Sequence, residues 1–491
     1  MLKKLLQGHL LFPLILVAGI GGSFQYGFNV SSINANSAYI KLFIAETWAE
    51  RFGTKLEDTT VKLIWSLVVS IYPIGGLLGT LNAGHLAVKY GRKKVLLFNN
   101  LVDILAATIM LLSRMARSFE MIMVGRFLYG INAGIGLNVQ SMYLGESSPI
   151  KLRGVVSLTR AMFVAFGKVT GQTIGLREVL GTEHRWHFLL AFSGLPALIQ
   201  LISLPWFPDS PRYLLIDRQD KVLCLDALQR LWGKGDFSEE IADMEAEQAV
   251  IKGEGARTAR EMFRDRSIRW QLITNVMVTV AMQLCGINAI YFYASEVFQE
   301  AGIPSYSIPY VVLGAGGTLL FTSLTCVSTW KQPGGLWRSN NNKITCIAPV
   351  TLGVLPKALD HQCFGPKLGV GIREAGVTAI IPFEIFTQSC RPVAYAINGT
   401  FHWLGLFVMG MVFPFIVEGL GPFCFLIFLG DCLVIAVYVF IILPETKGKS
   451  ILEITAEFQK LNQRRAGPVT LLDGVKFKQN NPEIFIIATK L

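Results

Sequence analysis

Side chains that both donate and accept hydrogen bonds stand inside the apolar stretches of this chain. Gln172 lies in "TGQTIG", Tyr26 in "SFQYGF", and Gln283, Asn288, Tyr291 and Tyr293 in "QLCGINAIYFYA"; His402 and Trp403 sit early in a further stretch. An amide carried into lipid is costly unless it is paired or faces a watery hollow. A hydrogen bond between helices accounts for one such residue. Several amides and aromatic rings at similar depth on separate spans point to a ligand instead. Amides suit neutral polyhydroxyl molecules because each offers a donor and an acceptor. Aromatic rings cover the C–H face of a sugar. Gly286 lets its helix bend or break beside these groups.

The elements that must position these residues are membrane-spanning helices. The chain has 491 residues, of which 52% are hydrophobic and only 16% charged, with a mean hydropathy of +0.46. Crossing the hydrocarbon core takes about 20 mostly apolar residues. Stretches of that kind lie near 10–30, 62–82, 95–113, 121–143, 155–176, 186–207, 269–292, 306–330, 394–417 and 422–443. The net charge of +11 would fit nucleic-acid binding if it were spread over a polar surface. Instead Lys and Arg gather at Lys3–Lys4, Arg92–Lys94, 212–269 and the tail after Lys447. That bias predicts a multi-pass membrane protein with both termini cytoplasmic. The first apolar stretch runs on through Gln25 and Tyr26 and reads as a span, not a cleaved signal.

The organisation expected is an N-terminal six-helix bundle (1–207), a cytosolic helical loop (208–268), a C-terminal bundle (269–443) and a cytosolic tail (444–491). Each half begins with a span holding Gln and Asn near glycine, as in parallel-repeat transporters. None of the eight cysteines forms a CxxC pair, so they read as small buried residues, not as disulfides or a metal site. No nucleophile–base pair, phosphate loop or metal cluster stands out, so neither an enzyme nor a cofactor is expected. The first span has no Asp or Glu, and Asp103 reads as pairing locally near the cytosolic end of its helix. Proton coupling needs a titratable group that changes exposure, so passive transport is the expectation.

The motifs "GHLAVKYGRKK" (84–94), "GRFLYGINAG" (125–134), "YLGESSPIKLRG" (143–154), "PDSPRYLL" (208–215), "RPVAYAINGTFHW" (391–403) and "PETKGKS" (444–450) occur in order around "QLCGINAIYFYA". Together they resemble the facilitative hexose transporters of the major facilitator superfamily. The resemblance implies an all-α membrane protein of two six-helix bundles. "GSFQYGFN", "MYLGESSP" and "FHWLGLF" look most like the fructose-associated branch. Implied sugar contacts are Gln172, Gln283 and Asn288, with Tyr26, His402 and Trp403 lining the fructose-type cavity. Tyr291 and Tyr293 fall where the family closes its outer gate. Arg92, Glu146, Arg153, Arg212, Glu384 and Arg391 match positions that tie the two bundles together underneath. The function implied is facilitative uptake of fructose, with glucose second, through the lipid bilayer of the plasma membrane, without nucleic acid, metal or cofactor. A sugar-binding sensor that no longer transports and a proton–sugar symporter are the alternatives.

Departures from the pattern are Val88 for an acidic or amide residue, Met282 for a glutamine, and Gly317 about where an asparagine faces sugar. Residues 331–374 carry Pro, Asn and charge where the family has its ninth span, and Arg373-Glu374 replace a Gly-Pro start to the tenth. Either this segment comes from an alternative exon reading, or the protein has lost transport.

Overall fold

The computed structural model describes residues 10–149, 152–233, 235–238, 240–242, 244–245, 259–265, 268–284, 288, 292–293, 299, 302–304, 306–329, 385–386, 391–420, 424–442 and 457–458. Among them there is no strand. The helices are α1 (Leu11–Ala35), α2 (Ser37–Phe52), α3 (Asp58–Tyr90), α4 (Arg92–Ser113), α5 (Phe119–Ser147), α6 (Arg153–Ile174) and α7 (Trp186–Trp206). After these come α8 (Lys221–Trp232), α9 (Ala259–Arg264), α10 (Arg269–Leu284), α11 (Ile308–Thr329), α12 (Arg391–Leu420) and α13 (Cys424–Ile442). Every apolar stretch read from the sequence holds one of them. Six described helices, α1, α3, α4, α5, α7 and most of α12, are long and apolar enough to cross a membrane. α6 is long enough as well, but Arg160 and Lys168 interrupt its apolar run. Residues 331–374 lie outside the described residues.

Small residues set how closely the helices approach. Gly130 and Gly134 of α5 face the Tyr72 and Gly76 carbonyls of α3, while Gly75 and Gly79 face the Phe127 and Ile131 carbonyls in return. A methyl group at any of the four would run into backbone, which cannot rotate away. This is the small-xxx-small packing of membrane helices, and it makes "GINAG" a packing motif.

Within α1, residues Ile20–Phe24 form a single π turn. Such turns recur at functional sites because they leave backbone groups for other partners. Gln200 of α7 donates to the Val17 carbonyl at 3.0 Å. Gln140 of α5 accepts from Ser23 N at 2.8 Å and Ser23 Oγ at 2.6 Å. Gly21 and Gly22 make room for these two glutamines. The bulge ends at Gln25, so it sets the rotation of Tyr26 one residue on.

Asp103 lies midway along α4, fully buried, and not near its end as expected. Its Oδ1 accepts from Asn132 Nδ2 at 2.6 Å and Ser193 Oγ at 3.4 Å. Asn29 donates to Ser193 Oγ at 3.1 Å, and Arg126 Nη1 to the Asn29 carbonyl at 2.8 Å. The Arg126 guanidinium stacks over the Tyr72 ring at 4.4 Å. The partners of Asp103 come from α5 and α7 of the same half, so the expected local pairing near the cytosolic end does not hold.

Helix α8 follows the spans as a short polar helix. Asp220 caps it by accepting from Leu223 N at 3.0 Å, a contact that satisfies one open N–H of the first turn. It docks on the α5 and α7 ends through Trp232 Nε1 to the Ser147 carbonyl (2.9 Å) and Arg230 to the Trp206 carbonyl (2.7 Å). Cys224 on its inner face is buried, which pushes its thiol up to about 11.

Candidate functional site

Four of the six expected contact residues meet in one chain of hydrogen bonds. Asn288 Nδ2 donates to Gln283 Oε1 at 2.8 Å. Gln283 Nε2 lies 2.7 Å from His402 Nδ1, and His402 Nε2 lies 3.3 Å from Tyr26 Oη. Since an amide nitrogen only donates, Nδ1 accepts, which leaves Nε2–H to face Tyr26. Tyr26 is on α1 and His402 on α12, so the chain crosses from the N-terminal half to the C-terminal half.

Trp403 extends the crossing. Its Nε1 donates to Thr80 Oγ1 at 2.7 Å, and Asn138 Nδ2 reaches the same oxygen at 3.2 Å. The indole is 2% exposed and meets the Tyr26 and Tyr72 rings edge-on at 5.7 and 5.8 Å. Gly76 lies against the indole and makes its seat. Amides, an imidazole and three aromatic rings therefore line one inter-half contact. No ionised side chain takes part in that chain.

Gln172 stands apart. It is 5% exposed, and neither its Oε1 nor its Nε2 has a hydrogen-bond partner. Gly316 of α11 packs against its amide, whereas Gly317 faces open space.

Of the gate residues, Tyr291 and Glu384 lie outside the described residues, as do the side chains of Arg153 and Arg391. Tyr293 is buried, donates to the Gly410 carbonyl and packs on Phe413 at 5.7 Å. Arg92 holds Glu146 Oε1 at 2.9 Å and Asp217 Oδ2 at 2.7 Å. Ser210 Oγ donates to Glu146 Oε2, and the Tyr213 ring lies 4.9 Å under the Arg92 guanidinium. These partners belong to the N-terminal half and the segment after it, so the described ties bind one bundle to its own loop. Arg212 is partnered as well. At the other end of the spans, Lys62 pairs with Glu418 at 2.8 Å and Tyr310 Oη donates to Glu178 at 2.7 Å.

Sequence reasoning missed Thr80, Asp217, Arg160 and Lys168. A buried indole N–H is costly without an acceptor, but nothing in the spacing singles out Thr80. The two cations inside α6 were visible as an interruption of an apolar run.

A model of the family described as "Sugar (and other) transporter" matches residues 14–330 and 371–458. The human solute carrier family 2, facilitated glucose transporter member 11, is 45% identical over 95% of this chain and 97% of its own length. The rat member 5 is 39% identical over 91% of each chain, and the human member 9 is 40% identical over 91% of this chain and 85% of its own. The structure of the proton:xylose symporter XylE bound to 6-bromo-6-deoxy-D-glucose superposes with a TM-score of 0.73 at 19% identity. It covers 91% of this chain and 99% of XylE, a likeness of fold.

Proposed function

This chain belongs to the sugar transporter family, and on that premise we propose that it is a facilitative hexose uniporter, carrying fructose first and glucose second by alternating access. It is a membrane protein of the solute carrier family 2 type and not an enzyme. The observation that carries the finer reading is the uncharged chain Tyr26–His402–Gln283–Asn288. Sugar hydroxyls exchange readily with such bonds, since each is worth only about 1 kcal/mol net. Trp403, Tyr26 and Tyr72 offer faces for the sugar's C–H groups. Gln172 has both amide atoms free to bond a hydroxyl. The preference for fructose rests on the resemblance of the motifs around Tyr26, Glu146 and His402 to the fructose-associated branch.

The proposed cycle uses the crossing contact as its two-state element. Sugar entering between α1 and α12 replaces the 3.3 Å Tyr26–His402 contact with bonds of its own. A ligand shifts an equilibrium only by its difference in affinity for the two states. Sugar held by both halves favours the occluded state, from which either side can open. Tyr291 and Tyr293 serve as the outer gate. Arg92 with Glu146, and Arg153, Arg212, Glu384 and Arg391 with them, form the cytosolic clamp, with both termini cytoplasmic in the plasma membrane. Uniport is favoured because the hydrogen bonds of Asp103 stay within its own half.

The test is radiolabelled fructose uptake into proteoliposomes with and without a pH gradient. Saturable uptake that survives collapse of the gradient is expected. Uptake that vanishes with the gradient would mean symport. Sugar-dependent thermal stabilisation without flux would mean a sensor.

A further inference from the structure

Helices α3 and α12 meet through two matched steps. Gly76 and Thr80 stand one turn apart on α3, and Gly399 and Trp403 one turn apart on α12. The Trp403 indole fills the hollow over Gly76, and the Thr80 methyl lies against Gly399. A methyl group on either glycine would push the opposite side chain away. These two contacts fix where the indole stands, and one hydrogen bond fixes how it is turned.

That bond ends on Thr80 Oγ1. Trp403 Nε1 donates to it at 2.7 Å and Asn138 Nδ2 at 3.2 Å. Neither nitrogen can accept, so the hydroxyl's own proton turns to the Gly134 carbonyl at 3.5 Å. Asn138 donates to the same carbonyl at 2.8 Å. Gly134 is one of the glycines that let α5 close on α3. Packing inside the N-terminal half therefore aims the acceptor for an indole of the C-terminal half. Trp403 is 2% exposed and Thr80 5%, so bulk water does not compete for the bond.

We infer that Thr80 is a positioning residue for hexose binding: its hydroxyl holds the Trp403 indole in the pose against which the sugar's C–H face packs. Without that acceptor the buried N–H turns toward another, and the ring face turns with it. The inference rests on the transport reading above and adds to it a residue, outside the sugar contacts, that sets sugar affinity.

The test measures fructose uptake kinetics in proteoliposomes holding the full-length protein. Thr80→Val keeps a methyl against Gly399 and removes the acceptor. KM for fructose should rise about tenfold, a change of about 1.4 kcal/mol, while the maximal rate changes less. Thr80→Ser restores the acceptor and should restore most of the affinity. The deciding step repeats Thr80→Val in a Trp403→Phe protein, whose ring has no N–H. There the further rise should fall below about twofold, because no donor is left to lose its acceptor. Equal rises in both backgrounds overturn the inference, since Thr80 would then act through helix packing alone. An unchanged KM in Thr80→Val, or a fall in rate with KM unmoved, overturns it and leaves the transport reading standing. If Trp403→Phe transports too slowly to measure, fructose-dependent thermal stabilisation supplies the same four affinities. Should Thr80→Val not fold, Gly399→Ala displaces Thr80 and leaves its hydroxyl in place, and its KM rise should likewise vanish with Trp403→Phe. If the unaltered protein neither moves nor binds fructose, the transport reading fails and the inference with it.

Discussion

Two buried polar clusters adjoin at α1, where Tyr26 of one and Asn29 of the other stand less than a turn apart, and are built on opposite plans. Around Asp103, the groups come from α1, α4, α5 and α7, all in the N-terminal half, and they include an ionised side chain, Arg126. Around His402, the groups come from both halves, and the chain linking them carries no charged side chain. Charge-assisted bonds are about twice as strong as neutral ones, so the first cluster fixes the relation of its helices. Neutral bonds are weak enough to exchange with a ligand's hydroxyls. Strong polar bonds inside a half and weak ones between halves let a half move as a body while the contact between halves opens.

The largest effect should come from the cluster inside one half. Asn132→Leu removes the 2.6 Å donor to Asp103 and leaves a buried carboxylate short of a partner. Such a loss costs about 2–3 kcal/mol. A lower melting temperature in detergent, with transport lost in proportion to folded protein, is the expected outcome. An unchanged melting temperature would mean that the Asp103 cluster does not hold the half together.

The cluster between the halves should respond in the opposite way. Gln283→Leu removes the link between Asn288 and His402, two bonds at 2.8 and 2.7 Å. On the transport reading the Gln283 amide bonds two sugar hydroxyls, worth roughly 2 kcal/mol together, so KM for sugar should rise about tenfold or somewhat more, with a smaller fall in melting temperature than in Asn132→Leu. Equal losses of stability in the Gln283 and Asn132 variants would erase the contrast. A smaller effect is expected at Gly76, where an added methyl meets the Trp403 indole. Alanine normally favours a helix over glycine by about 1 kcal/mol. If Gly76→Ala nevertheless slows transport several-fold without lowering the melting temperature, the strain falls on the inter-half contact.

How far the sequence reaches is clear from these same residues. Each apolar stretch holds a helix because hydropathy and length alone decide where a chain can cross lipid. Tyr26, Gln283, Asn288, His402 and Trp403 were named from motif and do meet. The π turn over Ile20–Phe24 was not legible, because it depends on Gln140 and Gln200 arriving from other helices. Arg92 was identified, but its partner Asp217 comes from a π turn 125 residues away, and no local pattern marks that pairing. Asp103 was expected to pair locally near the cytosolic end of its helix, and it lies midway along it instead. The answering donors lie on α5 and α7 and were not visible in its own neighbourhood.

The smallest effect should come from an ion pair that also crosses between halves. Lys62 and Glu418 meet at 2.8 Å at the ends of α3 and α12, with side chains 44% and 54% exposed. By position this pair resembles the Tyr26–His402 contact, and by chemistry it looks stronger. Exposed pairs nonetheless contribute about 0–1 kcal/mol, because water screens both charges and two long side chains must be ordered. Lys62→Ala should therefore change fructose uptake less than about twofold, and raising the salt concentration should shrink even that difference. If Lys62→Ala instead matched Gln283→Leu, exposure would not weaken this contact as argued. The weight of the crossing would then lie at the helix ends and not at the buried chain around His402.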